Sequence, residues 1–97
     1  MTDFILRPAA VGDLREAYAW YEKERAGLGQ EFLREVRATL DRVLDQPRAY
    51  PVIHRDTRRA IVRRFPYALF YRRMDDLTVF VACYHMRRDP KGWQRRR

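Results

Sequence analysis

The sequence predicts an α+β fold, an N-terminal strand and a two-helix antiparallel hairpin followed by a three-stranded antiparallel meander, on three observations. Apolar residues recur every three or four positions up to about residue 44, then every second position from about residue 58. Two helical stretches lie only two or three residues apart, around Gly27 and Gly29. Prolines fall at the joints rather than inside the periodic runs. Helices set ahead of an antiparallel sheet pack on one of its faces.

Phe4-Ile5-Leu6-Arg7 is a short apolar run stopped by Pro8, the pattern of an edge strand. Leu14, Tyr18 and Tyr21, with Ala17 beside them, form the first helical stripe. Asp13 and Glu16 fall in its early turns, where negative charge complements the macrodipole. Gly27 is placed to close this helix in a left-handed conformation. Leu33, Val36, Leu40 and Val43, widened by Phe32 and Leu44, make the second stripe, which Pro47 ends. Residues 47–57 form a loop. Strands follow at 58–65, 67–73 and 77–85, with Met74-Asp75-Asp76 as a turn. Residues 87–97 are basic and irregular around one large aromatic, Trp93.

The 97 residues (11.8 kDa) make one domain, 1–97, and 46% apolar content supplies a core. No run approaches the ~18 apolar residues of a membrane span, and no signal-peptide pattern opens the chain, so a cytoplasmic protein without membrane attachment is expected. The lone Cys83 excludes an internal disulfide and a multi-cysteine zinc site. No metal-ligand spacing or phosphate-cradling glycine loop is present, so no cofactor and no metal are expected. Cys83 itself fits a small core residue better than a nucleophile.

Charge divides the chain. The net formal charge is +8, made of −1 over residues 1–50 and +9 over residues 51–97. All but two of the basic residues, Lys23 and Lys91, are arginines, whose planar forks match carboxylate and phosphate edges. The partner is therefore acidic, protein or nucleic acid. One cluster is Arg58, Arg59, Arg63 and Arg64; the other is Arg87, Arg88, Lys91 and Arg95 to Arg97. Alternate strands of a meander run parallel, and on that ground the two clusters are expected to converge on one rim beside Trp93. His85 is the histidine nearest that rim, more plausible as a strand-end residue than as a general base.

Strict alternation makes both faces of the last strands apolar. It sets Tyr67, Leu69 and Tyr71 against Ala68 and Phe70, and Leu77, Val79, Val81 and Cys83 against Phe80, Ala82 and Tyr84. Two helices cover one face. The other is left for the Trp93 segment and for a protein partner.

Three segments in order carry a resemblance to a known family: Gly27-Leu28-Gly29-Gln30-Glu31-Phe32-Leu33, Phe65-Pro66-Tyr67-Ala68-Leu69-Phe70-Tyr71-Arg72, and His85-Met86-Arg87-Arg88-Asp89-Pro90 with Trp93. The chain resembles the RelE/ParE superfamily of bacterial type II toxins, and its ending is similar to that of the ParE-like branch. That resemblance implies the RelE/ParE-like fold, a toxin neutralised by a cognate antitoxin, and DNA gyrase as the target without enzymatic activity. The RelE branch would instead imply a metal-independent, ribosome-dependent mRNA endoribonuclease, with Arg59, His85 and Arg87 as its catalytic residues. Ala68 and Trp93 depart from that branch where an arginine and a tyrosine would align, and tryptophan has no ionisable proton. The gyrase reading assigns Arg63, Arg64, Arg87, Arg88 and Trp93 to the target, and Trp20, Phe70, Phe80 and Tyr84 to the antitoxin. A plain basic binding module, with direct contact to nucleic acid, is the third alternative.

Overall fold

A computed structural model describes residues 3–96. Strand β1 (Asp3–Leu6) leads directly into α1 (Pro8–Glu24). Pro8 stands at the first helical position, where a missing N–H costs nothing and its fixed φ is already helical. Then come α2 (Leu28–Asp45), β2 (Val52–His54), β3 (Thr57–Ile61), β4 (Tyr67–Met74), β5 (Leu77–His85) and the short α3 (Lys91–Gln94). The five strands form one sheet in the order β1-β5-β4-β3-β2. β1 pairs parallel with β5, and the remaining neighbours are antiparallel.

The turn between the helices is built on Gly27 and Glu22. Gly27 has φ +90°, a left-handed value that glycine adopts without a Cβ penalty. It begins α2 rather than closing α1, which ends at Arg25 with its N–H on the Tyr21 carbonyl. Glu22 accepts from the Gly27 and Gly29 N–H groups at 2.9 and 2.8 Å, so a carboxylate satisfies the free donors at the start of α2. Gly29 lets the helices close: an added Cβ would lie 2.7 Å from the Tyr18 ring. Asp13 does not complement the helix dipole as expected; it is buried, on the stripe shared with Ala10, Ala17 and Tyr21.

The core between helices and sheet contains Tyr21, Phe32, Val36, Leu40 and Val43 from the hairpin, and Ala60, Leu69, Tyr71, Phe80 and Cys83 from the strands. Phe65 and Tyr67 each meet both Tyr21 and Phe32 edge-to-face, and Tyr21 and Phe32 lie tilted against each other. Tyr71 donates its hydroxyl to the Pro47 carbonyl at 2.6 Å and so anchors the end of α2 to the sheet. Burial pushes the Tyr71 phenol up to about 12 and the Cys83 thiol well above its ordinary value. Cys83 is thus an inert core residue.

Three sequence expectations change. Residues 47–57 are not all loop, because Arg55 (φ 53°) turns the chain into a tight β2–β3 hairpin. The strand expected over 58–65 ends at Ile61. Arg64 takes φ 71° and swings onto α2, where it meets Glu31 at 2.9 Å and Glu35 at 3.8 Å.

The third change is in β5. Phe70 pairs with Ala82 but Tyr71 pairs with Phe80, leaving Val81 as an extra residue. This bulge inverts the alternation part-way along the strand. Phe80 and Cys83 both face the helices, while Val79, Val81, Ala82 and Tyr84 face the other way. The expectation that Phe80 shares a face with Tyr84 fails for this reason, and Phe80 is fully buried under the hairpin.

Candidate functional site

The sheet face remote from the helices carries its own small core of Ala68, Phe70, Val79, Val81, Ala82, Tyr84 and Trp93. Trp93 is 3% exposed and stacks on Phe70, with ring centroids 4.2 Å apart at 22°. His54 meets its edge at 5.7 Å. The polar C-terminal segment therefore returns over the sheet and covers one end of this face. Gly92 permits the approach, since a Cβ there would overlap the Tyr84 hydroxyl.

Two side chains from opposite ends of the chain fasten the segment. Arg96 donates to Asp13 through Nη1 at 2.6 Å and Nη2 at 3.2 Å, and to the Val81 carbonyl at 3.0 Å. Asp13 also accepts the Cys83 N–H at 3.0 Å. β1 ends opposite Phe80, so β5 has no strand partner on that side from Val81 onward. Asp13 and Arg96 satisfy backbone groups that a longer β1 would have paired. The sequence signal for Asp13 was its place three residues after Ala10 and four before Ala17 on the buried stripe. The partner Arg96 carried no local signal.

Beside this clasp lies a cleft of about 270 Å³ lined by Arg59, Phe70, Tyr84, His85, Arg88 and Trp93, among others. It brings together six of the residues picked from the sequence: Arg59, Phe70, Tyr84, His85, Arg88 and Trp93. The reason is not the one expected. β3 and β5 run parallel, so the start of β3 lies beside the start of β5, not beside its end. Arg58 faces the helices and donates to the Arg48 and Tyr50 carbonyls. Arg59 sits mid-sheet opposite Phe70. Only Arg63 and Arg64, past the end of β3, reach the level of His85, and Arg64 is engaged by α2. The basic clusters do not converge as a block.

Arg87 and Arg88 are exposed after β5. The Arg88 guanidinium lies over the Tyr84 ring at 4.2 Å, and Arg96 approaches the same ring at 5.2 Å. Tyr84 and Phe70, like Phe80, are buried within the chain itself. Trp20 is 57% exposed and borders a second cleft with Tyr21, Pro66, Tyr67 and His85. His85 Nδ1 accepts the Arg87 N–H at 3.0 Å. In the neutral ring Nε2 then carries the proton and serves as a donor. Arg72, in the middle of β4, was not singled out from the sequence; it is buried on the face that carries Trp93.

Among the described residues, no group of three or more His, Cys, Asp or Glu side chains is placed to hold a metal ion. No helix among them is long and apolar enough to cross a membrane.

Comparison with known proteins agrees with this architecture. Residues 4–90 match the model of a family described as the ParE toxin of the type II toxin-antitoxin system parDE. A solved structure titled as a chromosomal ParDE TA system from P. aeruginosa superposes with a TM-score of 0.78 at 12% sequence identity. The alignment covers 88% of this chain and 96% of that one. No curated protein matches the sequence.

Proposed function

This chain belongs to the ParE toxin family of type II toxin–antitoxin systems, and on that footing we propose that it arrests growth in the cytoplasm through DNA gyrase and is held inactive by a cognate antitoxin. The observation that carries the choice of gyrase over RNA cleavage is the Trp93–Phe70 stack over the open end of the sheet. RNA cleavage without metal needs a proton acceptor, a proton donor and cations around one phosphate. Here an indole with no ionisable proton and the methyl of Ala68 occupy that end of the face. His85 Nδ1 is engaged by the Arg87 N–H.

Arg63, Arg87 and Arg88 are the target-facing cations in this reading. Arg64 contributes less, because Glu31 already neutralises it. Trp93 acts by holding the Arg87–Arg88 turn against the sheet rather than by touching the target. Trp20, the most exposed large apolar side chain described, is the antitoxin anchor. Phe70, Phe80 and Tyr84 support these surfaces from beneath.

The test is supercoiling by purified gyrase titrated with the isolated chain. Inhibition that weakens in Arg87→Ala and Arg88→Ala is expected. Unchanged supercoiling, together with codon-linked transcript cuts on expression, would move the chain to the ribonuclease alternative. Harmless expression without an antitoxin would leave a basic binding module.

A further inference from the structure

The sheet face that carries Trp93 also holds two arginines that form no ion pair among the described residues. Arg72 stands opposite Val79, and Arg59 stands opposite Phe70, so the two are diagonal neighbours on adjacent strands. Arg72 is 8% exposed. The Nε of each is buried with no hydrogen-bond partner among the described residues. The ion pairs formed among those residues use Arg25, Arg37, Arg64 and Arg96, and neither Arg59 nor Arg72. A buried guanidinium N–H without an acceptor is costly, and none of the ion pairs just named offsets it.

We propose that Arg59 and Arg72 receive a carboxylate from a protein partner, an aspartate or glutamate carried on a segment with apolar residues either side. This rests on the antitoxin reading above and names where on the toxin that partner's acid is seated. The surroundings favour a peptide over a nucleic acid strand. Val79, Val81 and Ala82, themselves buried, form the floor between the arginines and β1, and the open apolar surface is the rim around them. Ile5, Ile61 and Met74, exposed by 37%, 53% and 44%, rim it. By register Ile5 lies beside Val79, Ile61 beside Ala68, and Met74 two residues beyond Arg72. Apolar side chains flanking one acid would cover this rim, and the arginine forks would take the acid through parallel N–H···O bonds. A phosphodiester chain would leave the same rim facing charge.

The experiment measures affinity for the protein encoded by the adjacent reading frame, using the full chain and Arg72→Met, Arg59→Met and Arg37→Met variants. Losing one member of a buried charge pair should weaken the complex about 30-fold or more for Arg72→Met. Arg59→Met, at a half-buried position, should weaken it in the same direction. Arg37→Met, on the outer face of α2, should stay within about twofold. The free Arg72→Met chain should melt at the same temperature as the parent or higher, because an unpaired buried charge has been removed. A merely structural Arg72 would lower it. Should Arg72→Met fail to fold, Arg59→Met carries the test. Undiminished affinity in both variants overturns the inference and leaves the toxin–antitoxin reading standing. Absence of any complex with the parent chain removes both. Binding of a single-stranded oligouridylate that is lost in Arg72→Met, with partner affinity intact, assigns the face to nucleic acid instead.

Discussion

Replacing Arg96 by methionine should destabilise the chain far more than a near-terminal surface residue would suggest. The substitution keeps much of the apolar stem and removes the fork that meets Asp13 at 2.6 and 3.2 Å. Among the described residues Asp13 would keep the Cys83 N–H alone. Its side chain is 5% exposed, so water cannot replace the lost donors. Breaking a buried pair from one side costs ~3–5 kcal/mol in general. The Arg96 side chain is 21% exposed, which lets some water into the gap and lowers the expectation to about 2–3 kcal/mol. For a domain of this length that is a fall in melting temperature of roughly 10 °C or more.

Urea denaturation of Asp13→Asn, Arg96→Met and the double variant closes a cycle. The two single changes should sum to more than the double, with a coupling of at least about 1 kcal/mol. Tryptophan emission supplies a local readout. The sequence has two tryptophans, Trp20 already exposed and Trp93 buried on Phe70. A red shift in folded Arg96→Met would therefore report release of Trp93. A coupling below about 0.3 kcal/mol with unshifted emission would refute the idea that this pair fastens the C-terminal segment to the edge of β5.

Three further outcomes follow from the geometry. Gly29→Ala places a Cβ against the Tyr18 ring and should cost about 1–3 kcal/mol by chemical denaturation, because the helix hairpin must open to admit it. The Tyr71 phenol is raised from 10.0 to about 12, so the unfolded chain loses its proton first. That contribution is intact below pH 10 and is lost as pH rises towards 12, and Tyr71→Phe should flatten this part of the stability profile. Glu31 is held below its ordinary 4.5 by hydrogen bonds from Arg64 and Arg25. Its contribution is present above that value and is lost as pH falls through the folded pKa, so Glu31→Gln should reduce the slope of acid unfolding without affecting stability changes above pH 6.

Much of this fold was legible because its periodicities are local. The β5 limits, the helix pair and the stop at Pro47 follow from spacing and breakers within a few residues. What escaped depends on pairings distant in sequence or on backbone angles that composition does not encode. Arg55 and Arg64 adopt positive φ without being glycine, so nothing in their type announced the β2–β3 turn or the early end of β3. The bulge at Val81 changed the face of every earlier residue in β5, which is why Phe80 was assigned to a surface. Arg59, His85, Arg88 and Trp93 were found from charge and aromatic content and do share a cleft. Arg72 was missed because nothing local marks a charged residue near the end of an apolar strand as buried, whereas every residue from Ala68 to Arg72 is.

The bulge also explains how so small a chain has two apolar sheet faces. Without Val81 as an extra residue, Phe80 and Cys83 could not both point into the helix-side core while Val79 and Tyr84 point out of it. The consequence is a second face with too much apolar surface to leave in water and no helix hairpin left to cover it. The chain buries the floor of that face itself and leaves an apolar rim exposed at Ile5, Ile61 and Met74. Trp93, drawn in by Arg96 and Asp13, covers Ala68, Phe70 and Tyr84. Towards the start of β5, Arg72 stands opposite Val79, and its Nε has no hydrogen-bond partner among the described residues. An acidic partner segment laid there would complete in the complex what the C-terminal segment completes alone at the other end.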